Sequence, residues 1–222
     1  MTDTDHLIQR VAELERRLAI VEDKEAIERL QYIYGYYLDN HMWNEMIELF
    51  ADGKSSVEIG RRGIYRGKDG VRSFFLNVLG KDGWGLKKNE FANHIQLQLV
   101  ITVDADRRCA KGRSRALIQA STLPDNATIR WVEGVYENTY IKENGVWKFE
   151  DLRWAPTFYA FMPVAGSIWF ESQPEDERFP PNVPSHPKDE ALGRSFPPFH
   201  YAHPITGRWV PSPSGHTSDD CK

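Results

Sequence analysis

The segment HIQLQLVITVDADRRCAKGRSRALIQAS, residues 94–121, decides the fold of this chain. Residues 94–103 and 109–121 are strand-like, and an Asp-Ala-Asp sequence between them marks a turn. Two more strand-like segments follow at 129–142 and 146–154, joined by a Glu-Asn-Gly turn. Four successive strands with short connections predict a long antiparallel meander.

The chain before this meander has helical periodicity. Apolar side chains spaced alternately by four and three residues predict an amphipathic helix with a narrow apolar seam, and they are Leu7, Val11, Leu14, Leu18 and Val21. The seam spans less than three heptads, which favours packing against a partner subunit or the parent domain over a coiled coil. Asp23 is a candidate N-cap for a second helix, whose apolar face carries Ile27, Leu30, Tyr34, Tyr37 and Leu38.

Shorter elements connect these helices to the meander. The pattern predicts a third helix at 43–50, a hairpin from 56 to 65, and a further helix at 71–79. Helices followed by a long antiparallel meander are typical of the α+β class. We therefore predict a cone, in which one curved antiparallel sheet wraps around three helices and encloses a cavity.

The composition changes sharply at Pro156. Twelve of the 13 prolines lie from this residue onward, together with ten Phe, Tyr and Trp residues. A disordered linker would contain few aromatic residues, so the region is predicted to be an ordered, extended arm on its own domain or on a neighbouring subunit. The predicted organisation is an N-terminal helix at 1–21, an α+β domain at 22–155 and a C-terminal arm at 156–222.

Charge and cysteine content exclude several classes of protein. The formal net charge is −4 and the basic residues form no continuous stripe, which argues against nucleic-acid binding. Cys109 and Cys221 lack a CxxC spacing, which predicts a reducing, cytoplasmic environment without disulfides or a zinc site. No apolar run approaches the roughly 20 residues that span a bilayer, so no membrane association is expected.

Four short motifs occur in a defined order along the chain. They are the helix from Ala26 through Tyr34 to Asp39 with Trp43 and Phe50 after it, GIYRGKDGV at 63–71, Asn93-His94 at the start of a strand, and GVWKF at 145–149. Their order and spacing resemble the SnoaL-like, nuclear-transport-factor-2-like family over about residues 22–154.

The resemblance implies both a fold and a range of functions. The family contains scytalone dehydratase, bile-acid dehydratase, ketosteroid isomerase, polyketide cyclases and diarylpropane formaldehyde lyases, which move protons in a mostly apolar cone without cofactors. The same fold also carries non-catalytic binders and the small subunits of ring-hydroxylating dioxygenases. Fold alone therefore does not give function.

Three residues match the family's catalytic set by position. Tyr34, Asp39 and His94 correspond to the Tyr/Asp/His set of the bile-acid-dehydratase-like members, which implies a catalytic role for each. His94 would be the general base, Asp39 would fix its tautomer, and Tyr34 would donate to a developing oxyanion. Residues five apart on a helix point about 140° from each other, so Asp39 can turn toward the cavity only if the helix ends there. The polar Asn40-His41 pair favours such an end.

The strand that begins at His94 offers polar side chains near the base. Strand alternation places Gln96 and Gln98 on the side of His94, where they would bind a hydroxylated substrate. The apolar side chains on the other face would then meet a partner subunit, and they are Ile95, Leu97, Leu99 and Ile101. The reverse assignment, with both glutamines in solvent, fits the alternation equally well.

An arginine and three aromatic residues complete the predicted substrate-binding set. Either Arg113 or Arg115 on the next strand could neutralise an anion inside the cone, and Arg115 is the predicted substrate-binding residue. Such arginines more often pair with acidic residues at the surface. Tyr37, Trp43 and Tyr136 are predicted to stack on aromatic rings of the substrate.

No metal or nucleotide site is predicted. His200 and His203 form an HxxH sequence, but no further ligands accompany it at a fixed spacing. The glycine-rich loop at 80–85 lacks the residue order of a phosphate-binding loop. We therefore expect a protein that needs no cofactor.

These expectations predict a cofactor-independent lyase. It would eliminate water or formaldehyde from a hydrophobic, hydroxylated aromatic molecule of the lignin-derived diaryl type, or from a polycyclic one. The alternatives are an isomerase or cyclase that uses the same residues, and a non-catalytic binding or structural member of the fold. The N-terminal seam and the C-terminal arm predict a homo-oligomer, either a dimer or a trimer.

Overall fold

The computed structural model describes residues 3–81, 83–121, 127–164, 175–183 and 197–211. Parts of the predicted C-terminal arm, with Trp169, Phe170, Phe196 and Cys221, lie outside the described residues. Within the described residues, no helix combines the length and the apolar character that crossing a membrane requires.

Helix α1 (Asp3–Asp39) is a single helix of 37 residues, where two helices were predicted. No glycine or proline occurs between Leu7 and Tyr34, so nothing in the sequence interrupts it. Asp23 caps no helix. Its side chain is only 3% exposed and binds Arg107, Lys142 and Trp147. This carboxylate therefore anchors the middle of α1 to the sheet.

Helix α1 ends in a Schellman motif, a common way for helices to satisfy their last carbonyl groups. The N–H of Met42 donates to Tyr37 O at 2.9 Å, and the N–H of His41 donates to Leu38 O at 3.1 Å. His41 takes the left-handed conformation with φ 53°, a position usually held by glycine. The chain then turns into helix α2 (Trp43–Glu48).

The sheet has six strands in the order β2-β1-β6-β5-β4-β3. Their bounds are β1 Ser56–Ile59, β2 Ile64–Arg66, β3 Ala92–Val103, β4 Cys109–Ser121, β5 Thr128–Glu143 and β6 Val146–Pro163. The predicted meander from β3 to β6 and the β1–β2 hairpin are both antiparallel, whereas β1 pairs with β6 in parallel. The sheet is therefore mixed, and the α+β cone prediction is confirmed.

Strand β6 continues past the predicted domain boundary at residue 155. Pro156 lies opposite Gly134, next to a register shift between Glu133 and Gly134. A bulge tolerates proline because a residue there need not donate a ladder hydrogen bond. The chain therefore stays in the sheet as far as Pro163.

Strand β3 contains a bulge that decides which of its side chains face the helices. The register with β4 shifts between Leu97 and Val100, and Gln98 has φ 53°. Before the bulge, His94 and Gln96 face inward while Ile95 and Leu97 are about two-fifths exposed. After it, Val100 is exposed and Ile101 packs against the core. Gln98 lies at the bulge and faces solvent, which contradicts its predicted place beside His94.

The inner face of the sheet holds a core of aromatic side chains. Helix α3 (Gly67–Ser73) and the π-helical turn Phe74–Leu79 after it pack there with α1 and α2. The ring of Phe149 lies 5.5 Å from that of Tyr34 and 5.3 Å from that of Phe50, between centroids. Such aromatic pairs add to the free energy gained by burial.

Residues 197–211 of the arm pack against α1 and α2 of their own domain. Phe199 is buried and its ring centroid lies 5.8 Å from that of Tyr37. The ring of His203 stacks on that of Tyr37, with centroids 5.6 Å apart. Arg208 pairs with Glu48 at 3.0 Å. Tyr37 therefore contacts the arm and does not line the cavity, contrary to its predicted role.

Candidate active site

A cavity of about 400 Å³ lies between the inner face of the sheet and the C-terminal end of α1. Its walls combine aromatic and aliphatic side chains, among them Tyr34, Trp43, Val132, Tyr136, Trp154 and Tyr159. Gly134 makes room for one wall, because a Cβ atom there would lie 2.7 Å from Cε2 of Trp154. A cavity of this size and lining suits a small, largely apolar molecule.

His94 and Asp39 form a hydrogen-bonded pair beside this cavity. Asp39 Oδ1 accepts from the main-chain N–H of His94 at 2.6 Å and lies 2.8 Å from His94 Nδ1. Because α1 ends at Asp39, the side chain turns toward the start of β3 as the sequence required. A carboxylate at Nδ1 holds the proton on that nitrogen, which leaves the Nε2 lone pair free to accept a proton.

Tyr34 and Tyr136 place two phenol groups in the same cavity. Both side chains are almost completely buried, and their hydroxyl groups are hydrogen-bonded to each other. Burial is the main reason that the pKa of each phenol lies well above its usual value, and the nearby charge of Asp39 acts in the same direction. Both phenols therefore stay protonated and can act as hydrogen-bond donors.

Gln96 lies behind the cavity wall and takes part in a polar network. Its Oε1 accepts from Gln31 Nε2 at 2.9 Å, and its side chain is hydrogen-bonded to Tyr136. Gln31 Oε1 in turn accepts from Asn138 and from Tyr140, each at 2.8 Å. Gln96 thus positions Tyr136 and is not among the residues that line the cavity.

Arg115 lies outside the cavity, contrary to its predicted role. On β4, alternation turns Ser114 and Ala116 inward, so Arg113 and Arg115 point outward. Arg115 pairs with Glu133, and Arg113 pairs with Glu137. Of the six predicted substrate-binding residues, the structure places Trp43 and Tyr136 in the lining.

His41 lines the cavity, although the sequence predicted only that it belongs to the end of a helix. Its ring stacks on Trp43 with centroids 4.8 Å apart, and its Nδ1 lies 3.7 Å from Glu90 Oε2. Burial lowers the pKa of His41, Glu90 opposes that shift, and a positive charge on His94 would reinforce it. The sequence signal that could have found it is the residue type itself, because the position just after a helix end is usually glycine and here is histidine.

The HxxH sequence does not form a metal site. Both ring nitrogens of His203 are engaged: Nδ1 accepts from the main-chain N–H groups of Ile205 and Thr206, and Nε2 donates to Glu45 O at 3.0 Å. Among the residues that the structure describes, no group of three or more His, Cys, Asp or Glu side chains could hold a metal ion.

Several solved structures share this fold. LinA has a TM-score of 0.57 and 21% identity over 71% of this chain and 99% of its own. Hexachlorocyclohexane dehydrochlorinase LinA-type3 from Novosphingobium barchaimii LL02 has a TM-score of 0.55 and 22% identity over 71% of this chain and 98% of its own. A putative scytalone dehydratase from Novosphingobium aromaticivorans DSM 12444 has a TM-score of 0.52 and 22% identity, over 69% and 95%.

Sequence comparison identifies the family. No curated protein sequence shows significant similarity to the chain. The family profile of the SnoaL-like domain matches residues 19–153, which is more than half of the chain. The match includes α1 from its middle onward, most of the cavity lining and most of the sheet. The chain belongs to the SnoaL-like domain family.

Proposed function

We propose that this protein is a cofactor-independent lyase that eliminates water or formaldehyde from a hydrophobic, hydroxylated aromatic or polycyclic molecule. The observation that carries the proposal is the His94–Asp39 pair at the wall of an aromatic-lined cavity. A general base held in one tautomer beside an apolar pocket is the arrangement that proton abstraction from carbon requires.

In the elimination of water, His94 acts first as the general base and then as the general acid. His94 Nε2 takes a proton from the carbon next to the carbinol carbon, and the C–H electron pair forms the new C=C bond. The C–O bond breaks, and the His94 imidazolium returns the proton to the departing hydroxide. Water leaves, and His94 is neutral again for the next turnover.

The two buried phenols supply the second part of the mechanism. When the C–H bond adjoins a carbonyl or phenolic ring, negative charge develops on an oxygen in the transition state. Tyr34 and Tyr136 remain protonated. Because Tyr34 donates its single hydrogen to Tyr136, the Tyr136 hydroxyl is the group that offers a hydrogen bond to that oxygen. Because both lie in fixed positions against Phe149 and Trp154, no reorganisation is needed when the charge appears.

The names of two proteins that share the fold support an elimination reaction. Two of the proteins that share the fold are called a dehydratase and a dehydrochlorinase, and both names describe eliminations. They share only about a fifth of their residues with this chain, so they support the reaction type through the fold. The aromatic lining of the cavity supports an aromatic substrate.

The test is turnover without any added cofactor. The purified protein is incubated with aromatic diols, including diarylpropane diols, and elimination is followed by the absorbance of the new conjugated alkene. Formaldehyde is assayed in the same samples, which separates loss of water from loss of one carbon. Turnover by the wild type but not by a His94→Gln variant would support the proposal. Binding of the diols without turnover by any sample would show a binding protein instead.

His41 is predicted to hold the leaving hydroxyl group. Its lowered pKa keeps the imidazole neutral near pH 7, and the ring lines the cavity with His94. His41→Asn should lower kcat/KM by about 10²-fold, the worth of one hydrogen bond made in the transition state. The melting temperature should not fall, because asparagine tolerates the left-handed conformation better than histidine does. Steady-state kinetics and thermal unfolding of the same variant measure both effects.

A purely structural role for His41 would leave the activity of the variant unchanged. Any fall in melting temperature would then measure only the stacking contact with Trp43 that the substitution removes. His41→Gly provides the second test, since glycine is the usual residue at this helix end. Both variants should be at least as stable as the wild type and less active.

A further inference from the structure

The opening of the cavity carries a group of basic side chains. Arg62 comes from the β1–β2 turn, Lys81 from the segment after the π-helical turn, Lys87 from the loop before β3, and Arg130 from β5. All four are exposed and line the cavity, so they surround its opening. The carboxylate among the lining residues is Glu90, and it faces His41. This concentration of positive charge lies on a chain whose formal net charge is −4.

Three of these cations differ from the arginines on the outside of the sheet. Arg113 and Arg115 are both paired with glutamates of β5. In the part of the chain that the structure describes, Arg62, Lys81 and Arg130 have no carboxylate within ion-pair distance. Like charges kept together without counter-charges favour an anionic ligand.

We propose that the substrate carries an acidic group, such as a carboxylate. Its rings would occupy the aromatic cavity, and the anionic group would lie at the opening among Arg62, Lys81 and Arg130. This inference rests on the proposed function only for the identification of the cavity as the substrate site. The three cations then select aromatic acids over neutral aromatic molecules of the same shape.

Binding of two matched probes tests this without any turnover. Naphthalene-2-carboxylate and naphthalene-2-carboxamide are titrated at low salt, and intrinsic fluorescence is followed because Trp43 and Trp154 line the cavity. We expect the carboxylate to bind about fivefold more tightly, with a preference that shrinks in high salt. Lys81→Gln/Arg130→Gln should remove the preference, whereas Lys111→Gln on the exposed side of β4 should keep it.

Tighter binding of the carboxylate that is lost in the double variant would support the acidic-substrate inference. Equal binding of the two probes, or a preference unchanged in the double variant, would overturn the acidic-substrate inference. Neither result depends on whether His94 performs an elimination, so the lyase proposal would remain to be judged by its own assay.

A second inference concerns the N-terminal half of α1, and a different observation carries it. Its apolar seam is not packed on the parent domain: Leu7 is 62% exposed, Leu14 57% and Leu18 58%. At 100° per residue, the seam faces nearly opposite to Asp23, Ile27 and Leu30, which the domain buries. The helix is continuous between the two regions, so the seam points away from its own domain.

The charges beside the seam follow the heptad pattern. With Val11 and Leu18 at a positions and Leu7, Leu14 and Val21 at d positions, the g positions hold Arg10, Arg17 and Lys24. The e positions include Glu15 and Glu22. In a parallel pair of helices, each g residue meets the e residue five places later on the other helix. Arg10 would therefore meet Glu15 of a second copy, and Arg17 would meet Glu22 of that copy.

Of the two expected uses of the seam, its exposure leaves packing against a partner subunit. We infer that the partner is α1 of a second copy of this chain, paired in parallel through a short contact of less than three heptads. An antiparallel pair would place g beside g and e beside e, which sets basic beside basic and acidic beside acidic. Two of the three d positions are leucine, and one of the two a positions, Val11, is β-branched while the other is Leu18; leucine at d with a β-branched residue at a favours two strands. Because the seam faces away from the domain, the two domains lie on the outer sides of the helical pair.

Charge reversal and disulfide trapping test the partner and the orientation. Light scattering should give a dimer for the wild type and for Glu13→Lys, which changes an outer position. Glu15→Lys/Glu22→Lys should be monomeric, and mixing it with Arg10→Glu/Arg17→Glu should restore a dimer. In a Cys109→Ser/Cys221→Ser background, Leu14→Cys should form a disulfide-linked dimer, since a parallel pair brings the two copies of this residue together. A monomeric wild type, a trimer, or failure of the Leu14→Cys cross-link would overturn the inference.

Discussion

Replacing His94 by glutamine is expected to lower kcat by about 10²–10⁴-fold, the usual worth of a general base. Glutamine has a similar size and polarity but cannot take a proton from carbon. The fold should survive, because the main-chain N–H at position 94 still donates to Asp39. Circular dichroism and thermal unfolding check the fold, and initial rates measured with the active diol check the loss.

Asp39→Asn is the companion variant for this prediction. An amide oxygen can still accept from the main chain at position 94, but the negative charge that holds the proton on His94 Nδ1 is gone. We expect a loss in kcat nearly as large, with little change in KM. A His94→Gln variant with a rate near that of the wild type would rule out the mechanism and leave a histidine with a packing role.

Replacing Asp23 by alanine is expected to lower the free energy of unfolding by about 2–4 kcal/mol. The carboxylate is 3% exposed and accepts hydrogen bonds from Arg107, Lys142 and Trp147, which lie on three different segments. Removing it leaves the indole N–H and the two cations without their acceptor. A melting temperature lower by about 5–15 °C in calorimetry is the expected result.

The effect of Asp23 should depend on pH in a defined direction. Burial raises the pKa of Asp23, but the hydrogen bonds from Arg107, Lys142 and Trp147 outweigh burial and lower it to about 2. A carboxyl group whose pKa is lowered by folding stabilises the folded state above its unfolded pKa, near 4. The difference between wild type and Asp23→Ala should therefore shrink as the pH falls from about 4 to 2.

Glu13→Ala is the matched control for Asp23. Glu13 is an exposed acidic residue of the same helix at an outer position of the seam, so its removal should change the melting temperature little at any pH. Equal effects of the two substitutions would show that Asp23 acts through general charge rather than through its three contacts.

The architecture could be predicted from the sequence where local pattern decides it. The turns after Val103 and Glu143 are encoded by short polar sequences, so β3, β4 and β5 were found with nearly the right bounds. Strand β6 was predicted to end at residue 154 and continues to Pro163. The continuity of α1 was missed because Asp23 has the chemistry of a helix cap, and only its distant partners show its use as an anchor. The bulge at Gln98 was missed because it depends on pairing with β4.

The site could be predicted in part for the same reason. His94, Asp39 and Tyr34 were identified because their order along the chain matches a known family, and the structure brings all three to one wall of the cavity or its edge. Arg115 was misplaced because strand alternation leaves two faces to choose between, and Gln98 was misplaced because the bulge turns it away from the face of His94. Gln96 lies on the predicted face but behind the cavity wall. His41 was missed because its exposure to the cavity follows from a left-handed residue that no periodic pattern indicates.

Asp39 contacts both the main-chain N–H and the side chain of residue 94. The main-chain contact keeps the carboxylate in place whichever side chain position 94 carries. Its oxygen is held at 2.6 Å by the main chain at position 94, and every amino acid except proline supplies that N–H. A lysine, cysteine or glutamate introduced at 94 would meet the same fixed negative charge at the same wall of the cavity. A single substitution at position 94 would therefore change the reactive group while the position of the Asp39 carboxylate stays the same.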